Sequence, residues 1–473
     1  MILYIVVIAL MIILFLLIKF FDDIHRKHPK TIGFFHPYAN DGGGGERVLW
    51  YAINSLQKKY PDYKCIVYTG DRESSFYILD KVQKNFGINI DAKNIHFVFL
   101  KLRPLIESKY YPFFTLLGQS LGSLILGIEA RLKYCPTILI DTAGFSYALP
   151  TFKYMGSDYI GCYVHYPTIS NDMIKKVQHK EIQYNNSAFI SKYHIVSVTK
   201  LYYYKLFAKL YGIMGRNADF IFVNSSWTND HILNLWNKQN KTYILYPPCD
   251  TKTFSQLNNT SENWVLNDTE INIVSIGQFR PEKDHVKQLK SFKLLLKRIE
   301  SAKIHQKYTI RLSLVGSARH KEDISRIEKL KELCSSLNIT QNVDFKINLN
   351  FDDLKLNLSK ALIGIHTMWN EHFGIGIVEC MAAGLIMIAN NSGGPKLDIM
   401  KPFKGNPVGF LADTEETYAD TMFDIINMSA EERNYIRHNA REAVGAKFSN
   451  EIFEKHFLQI ISPYIETRIN KAL

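Results

Sequence analysis

From residue 31 onward, short uninterrupted apolar runs alternate with stretches in which apolar side chains recur every third or fourth position. The runs at 31–35, 64–69, 95–100, 137–141, 159–164 and 220–223 read as buried strands, and a second series follows at 271–276, 309–315, 362–366 and 385–389. Within the second series, Val286, Leu289, Phe292, Leu296 and Ile299 keep helical spacing, as do Ile324, Ile327, Leu330, Cys334 and Leu337. Strand, helix, strand in repetition predicts the α/β class, with parallel, doubly wound sheets. Tyr246-Pro247-Pro248 closes the first series and the polar stretch 256–263 follows. The expected organisation is therefore two Rossmann-like domains, 22–245 and 246–473, flanking a cleft, with the last helix packing back on the first domain.

Residues 1–18 contain no charged side chain, and the apolar run resumes after Lys19 with Phe20 and Phe21. At ~1.5 Å per residue this length suffices for a hydrocarbon core of roughly 30 Å. There is no basic start and no small-residue cleavage site, so 1–21 reads as a retained transmembrane anchor. Lys19, Arg26, Lys27 and Lys30 lie on its C-terminal side, which leaves the bulk of the chain in the cytosol. The alternative is an uncleaved secretory signal with lumenal domains; sequons at Asn185, Asn224, Asn267 and Asn338 would suit it but are frequent by chance in an Asn-rich chain. Two further segments have the character of bilayer contacts. Residues 111–128 are uncharged, and 200–216 mix Tyr, Leu and Phe with Lys200, Lys205, Lys209 and Arg216. A core helix and a solvated helix are the competing readings.

Composition narrows the function. With 47% apolar and 22% charged residues the chain can bury sizeable cores, which excludes a disordered protein. A mean hydropathy of −0.11 excludes a polytopic membrane protein. The six cysteines show no two-residue spacing, as expected of thiols in a reducing compartment. A net charge of +12 is compatible with nucleic acid, an anionic membrane or a phosphorylated substrate. The basic residues are spread along the chain without a recognition motif, which disfavours nucleic acid.

Three glycine-containing elements follow expected strands. Asp41-Gly42-Gly43-Gly44-Gly45-Glu46-Arg47 lies between the 31–35 strand and a helical stretch, where backbone N–H groups can approach a phosphate. It is neither a dinucleotide fingerprint nor a P-loop, and alone it fits a flexible loop equally well. Gly277-Gln278-Phe279-Arg280-Pro281-Glu282-Lys283 ends the 271–276 strand and offers Arg280 as a fork and Lys283 as a point charge for a diphosphate; solvated surface charge is the alternative. The third, Glu371-His372-Phe373-Gly374-Ile375-Gly376-Ile377-Val378-Glu379, places two carboxylates across a tight turn, as sugar recognition requires, with Glu379 in the first turn of a helix starting at Gly376. A second loop, Asn390-Asn391-Ser392-Gly393-Gly394-Pro395, follows downstream. No Asp-x-Asp metal element sits at a strand end, and Asp352-Asp353 reads as a helix cap.

The Glu371–Glu379 element resembles the E-x7-E signature of retaining, nucleotide-sugar-dependent glycosyltransferases of the GT-B fold. Together, YANDGGGGERVLWYAI, YVHYPTIS, SIGQFRPEKDH, HTMWNEHFGIGIVECMAAG and NNSGGPKLDI resemble the asparagine-linked-glycosylation α-1,2-mannosyltransferases that extend a dolichol-linked trimannosyl core. The resemblance spans residues 31–470 and implies an enzyme anchored in the endoplasmic reticulum membrane, facing the cytosol. It would use GDP-mannose twice, to add the fourth and fifth mannoses to a dolichol-diphosphate-linked oligosaccharide bound by the first domain. Residue by residue, it assigns Glu379 to the ribose hydroxyls, Glu371 to the transferred mannose, Lys283 to the donor diphosphate and His165 to a place beside the mannose. The family arginine follows the glycine directly, where this chain has Gln278, so Arg280 takes that role at one remove. Gly43 and Gly44 would face the donor phosphates and the acceptor, and Gly277, Gly374, Ile375 and Gly376 complete the donor site. No metal is implied, because Arg280 and Lys283 supply the positive charge and the β-phosphate serves as base. Partners implied are the donor, the lipid-linked acceptor, the membrane bilayer and other glycosyltransferases of the same pathway. Two alternatives stay open: another GT-B transferase with a different donor or lipid acceptor, and a catalytically silent membrane-bound adaptor.

Overall fold

Seven strands form one sheet and six another in the computed structural model, which describes residues 14–15, 28–178, 194–258, 270–304 and 308–472. The first sheet holds β1 (His28–Phe35), β2 (Lys64–Thr69), β3 (Ile95–Phe99), β4 (Pro136–Asp141), β5 (Tyr159–Val164), β6 (Phe220–Val223) and β7 (Thr242–Ile244). Its order is β3-β2-β1-β4-β5-β6-β7. The second holds β8 (Glu270–Ile276), β9 (Thr309–Gly316), β10 (Val343–Ile347), β11 (Ala361–His366), β12 (Ile386–Asn390) and β13 (Phe410–Ala412), in the order β10-β9-β8-β11-β12-β13. Every strand pair in both is parallel. The strand order reverses between β1 and β4 in one sheet and between β8 and β11 in the other, and such reversals open a crevice at the strand C-termini.

The described residues divide into two compact units. The first lies within Met1–Asn224, Thr228–Leu245 and Glu454–Leu473; the second takes Ser225–Trp227 and Tyr246–Phe453. In the first unit the end of the helix Asn450–Ala472 sets Tyr464 against Tyr159 and Phe220. In the second, the helix His285–Ser301 buries Leu289, Phe292, Leu295 and Ile299 on the sheet, each worth roughly 1.5–3 kcal/mol of apolar burial. Val286, on the same periodic series, is 43% exposed.

All ten expected strands are present, with bounds shifted by at most a few residues. The three unexpected ones, β7, β10 and β13, are all sheet edges. An edge strand has one neighbour and stays half-buried, as every residue of β7 does, so no continuous apolar run is required of it. The Asp352-Asp353 pair is not the cap of its helix. Asn350 caps Phe351–Ser359, its side chain accepting from the Asp353 N–H at 2.8 Å, and the aspartates occupy the first turn.

The expected anchor, 1–21, lies outside the described residues except for Leu14 and Phe15. Among the described residues no helix is long and apolar enough to cross a membrane. Segment 111–128 runs from the turn before the helix Thr115–Lys133 into that helix, and segment 200–216 follows the helix His194–Gly215 to one residue past its end. Each has one face in the core of the first unit: Leu126 and Ala130 on one, Phe207 and Tyr211 on the other. Each also exposes large apolar groups, with Phe113 81%, Phe114 63%, Tyr202 70% and Leu206 59% exposed. The ring of Phe114 meets that of Tyr203 edge-on at 5.1 Å. All six cysteines are buried free thiols.

Candidate active site

In the first unit, the chain leaves β1 at His36 and enters the glycine loop. Gly43 is the N-cap of the helix Gly44–Lys59 and has no side chain to offer the helix terminus. Glu46 supplies what the cap lacks, turning its carboxylate back to the Gly43 N–H. Its other oxygen lies 3.0 Å from His36 Nε2. Burial alone would raise the Glu46 pKa, but the His36 hydrogen bond and charge and the Gly43 N–H hold it below the ordinary carboxylate value. His165, just past β5, donates from Nε2 to the Thr142 carbonyl at 3.0 Å, and Thr142 is the residue after β4. A Cβ built on Gly45 would stand 3.5 Å from His165 Nε2, so the structure brings the glycine loop and His165 together. Beneath them Asp141 is fully buried and accepts from the Ala143 and Gly144 N–H groups; burial pushes its pKa up to about 6.

In the second unit, β8 runs into Gly277, whose N–H bonds Val315 O at 2.9 Å, and then into the short turn Pro281–Lys283. Thr367, directly after β11, donates its hydroxyl to Lys283 O at 2.8 Å and ties that turn to the neighbouring strand. Lys283 Nζ lies 2.5 Å from Glu371 Oε2, and His366 Nε2 lies 3.0 Å from the same oxygen. Glu371 Oε1 accepts the His372 N–H at 3.2 Å. Burial opposes ionisation of Glu371, but Lys283 and His366 outweigh it and hold the carboxyl well below its usual range. The His366 pKa is lowered as well, chiefly by burial, which favours the neutral imidazole with Nε2–H donating to the carboxylate. A carboxylate has about four acceptor positions, and this set uses three of them, leaving one on Oε1 for a ligand hydroxyl.

Gly374 caps the helix Ile375–Ala383 at φ +106°, a conformation that disfavours any side chain. The helix begins one residue earlier than the sequence indicates, so Glu379 opens its second turn rather than closing its first. Gly376 sits against the end of β8, and Glu379 is half-buried. The loop after β12 supports this segment from behind: Gly394 N–H bonds Glu371 O at 2.8 Å, and Gly393, at φ +57°, leaves room for that backbone.

The structure thus joins Lys283 and Glu371 with His366, which the sequence reading had given no role. Among the described residues Arg280 takes no part in that set. It is exposed, and its charge acts on Asp323. His36, Thr142, His366 and Thr367 went unassigned; each directly follows or ends a strand at a point where the strand order reverses, which is the signal that would have found them.

Two family models cover the chain, "ALG11 mannosyltransferase N-terminus" over residues 29–236 and "Glycosyl transferases group 1" over residues 258–443. Among solved structures, sucrose-phosphate synthase from Thermosynechococcus elongatus matches with a TM-score of 0.67 at 15% identity, covering 93% of this chain and 100% of that one. Anabaena Alr3699/HepE in complex with UDP and glucose matches with a TM-score of 0.61 at 12% identity, over 92% and 100%. These likenesses agree with two Rossmann-like units of the GT-B type. The mouse protein named GDP-Man:Man(3)GlcNAc(2)-PP-Dol alpha-1,2-mannosyltransferase is 50% identical over 437 residues, covering 91% of this chain and 86% of its own. The human protein of the same name is 49% identical over 438 residues, covering 92% and 87%. At that identity over nine-tenths of its length, the chain belongs to the family of these alpha-1,2-mannosyltransferases.

Proposed function

We propose that the protein is a retaining glycosyltransferase that moves mannose from GDP-mannose, in α-1,2 linkage, onto a dolichol-diphosphate-linked trimannosyl-chitobiose, and that it does so twice. The observation that carries this reading is the half identity, across both units, to enzymes named for that donor, acceptor and linkage. In this reading Glu379 holds the ribose hydroxyls and Glu371 a hydroxyl of the mannose, at the acceptor position its three contacts leave open. Lys283 and Arg280 face the leaving diphosphate, with Gly277, Gly374, Ile375 and Gly376 lining the donor, Gly44 presenting its backbone N–H, and Gly43, whose own N–H is held by Glu46, shaping the loop.

Departure of GDP leaves an oxocarbenium-like sugar and adds negative charge to the phosphates, so transition-state stabilisation comes from fixed cations and oriented dipoles. Lys283, Arg280 and the N-terminus of Ile375–Ala383 provide them without a metal ion. The acceptor hydroxyl attacks from the face the diphosphate leaves, and the β-phosphate takes its proton. The enzyme sits on the cytosolic face of the endoplasmic reticulum membrane, held by residues 1–21. The exposed Phe113, Phe114, Tyr202 and Leu206, beside exposed Lys205 and Lys209, support a second contact with the bilayer. Purified protein incubated with GDP-mannose or UDP-hexoses and a trimannosyl-chitobiosyl-diphospholipid, with products weighed by mass spectrometry, tests the reading. Hexose addition from GDP-mannose alone is expected; addition from a UDP-hexose instead would replace the donor assignment.

A further inference from the structure

Between the glycine loop and His165 runs a line of polar contacts that the roles above leave unused. His36 is 3%, Thr142 2% and Glu46 8% exposed. The Gly43 N–H donates to Glu46 Oε2, and Glu46 Oε1 lies 3.0 Å from His36 Nε2. His36 Nδ1 lies 2.9 Å from Thr142 Oγ1, and the Thr142 carbonyl accepts from His165 Nε2 at 3.0 Å.

The two ends of the line each fix one proton. An ionised Glu46 only accepts, so His36 carries a proton on Nε2, and its Nδ1 meets the Thr142 hydroxyl, which can donate or accept. The Thr142 carbonyl also only accepts, so it takes the Nε2–H of His165 and makes Nδ1 the acceptor atom of that ring. Gly45 closes the arrangement: a Cβ there would stand 3.5 Å from the His165 ring and 3.8 Å from the His36 ring. A helix start needs none of this. A Ser, Thr or Asp at the N-cap would satisfy it from the surface, whereas here a carboxylate and an imidazole are taken out of water and matched atom for atom.

We propose that Glu46, His36 and the Thr142 hydroxyl are positioning groups for His165: they fix in place the Thr142 main-chain carbonyl that accepts from His165 Nε2, and so hold the ring in one orientation toward the transferred sugar. The proposal rests on the reading that His165 lies beside the mannose. Loss of the line lowers turnover and changes donor affinity little, because it removes no contact of Glu379, Lys283 or Glu371, to which the nucleotide sugar is assigned.

The test is a double-mutant cycle on the full-length, detergent-solubilised protein, with kcat and KM for GDP-mannose measured for Thr142→Val, Thr142→Ser, His165→Ala and the Thr142→Val/His165→Ala pair. Thr142→Val removes the hydroxyl that meets His36 at nearly constant shape and leaves the carbonyl that meets His165, now without its anchor. It is expected to lower kcat about tenfold, the worth of one buried hydrogen bond, with KM changed less than about twofold. Thr142→Ser restores the hydroxyl and most of the rate. In the His165→Ala background Thr142→Val costs nothing further, since there is no ring left to orient. Wild-type kcat in folded Thr142→Val, or losses that simply multiply in the pair, would overturn the proposal. Wild-type kcat in His165→Ala would instead overturn the reading beneath it. If Thr142→Val does not fold, Thr142→Ala runs the same cycle with less bulk.

Discussion

The two points at which strand order reverses have the same topology and different chemistry. At β8/β11 the second unit holds an ion pair, with Lys283 and Glu371 at 2.5 Å and His366 on the same carboxylate oxygen. At β1/β4 the first unit holds one carboxylate and no lysine or arginine in its line, and runs from the ionised Glu46 through His36 and Thr142 to His165 by single hydrogen bonds. Parallel doubly wound sheets therefore fix where side chains converge, and the residues just past the strands fix what they do there. A site built on opposed charges suits a ligand that brings and loses charge; a site built on fixed dipoles suits the orientation of a group.

The strongest way to break this contrast is to remove the charge. Lys283→Ala is expected to abolish mannosyl transfer, by at least about a thousandfold. It is also expected to destabilise the second unit by about 3 kcal/mol in urea unfolding, because the Glu371 carboxylate stays behind without its cation. Adding Glu371→Gln should recover part of that stability and none of the activity; full stability in Lys283→Ala alone would mean that the pair carries no structural load. Next, Glu379→Ala is expected to cost about a hundredfold in kcat/KM, mainly through KM, with a thermal midpoint close to wild type. A collapse of kcat at unchanged KM would move Glu379 from nucleotide binding to the reacting sugar. The smaller effect of Thr142→Val, on kcat alone, marks the other side of the contrast.

The smallest effect concerns Asp141, which lies beneath the first site. Burial raises its pKa from 3.8 to about 6, so between those values the unfolded chain has released a proton that the folded protein keeps. Stability contributed by this group therefore falls as pH rises through that window and stays lower above it. Asp141→Asn cannot ionise, yet still accepts from the Ala143 and Gly144 N–H groups. It is expected to be more stable than wild type by about 2 kcal/mol at pH 7.5 and by less at pH 5, measured by urea titration at both. An equal gain at both pH values would mean that packing, not ionisation, sets the difference.

What the sequence carried and what it hid follow one physical division. Central strands are buried on both faces, so β4 and β12 announce themselves as unbroken apolar runs, whereas β7, β10 and β13 lie at edges and read as loop. Lys283, Glu371 and Glu379 stand inside compact local patterns and are legible there. His36 and Thr142 touch across 106 residues because β1 pairs with β4, and no spacing in the chain encodes that pairing. His366 likewise looks like the last residue of a strand until Glu371 turns back onto it. Arg280 shows what local pattern leaves open: it stands three residues before Lys283 in the chain, yet in the fold it is exposed and outside the Glu371 set.

The division of labour between the units is tested most directly by calorimetric titration of GDP into purified wild type, Glu379→Ala and His165→Ala, alongside mannosyl transfer by the same preparations. Glu379→Ala is expected to lose GDP affinity, and His165→Ala to bind GDP as wild type does while its turnover collapses. Equal GDP affinity in wild type and Glu379→Ala, or loss of GDP binding in His165→Ala, would contradict it.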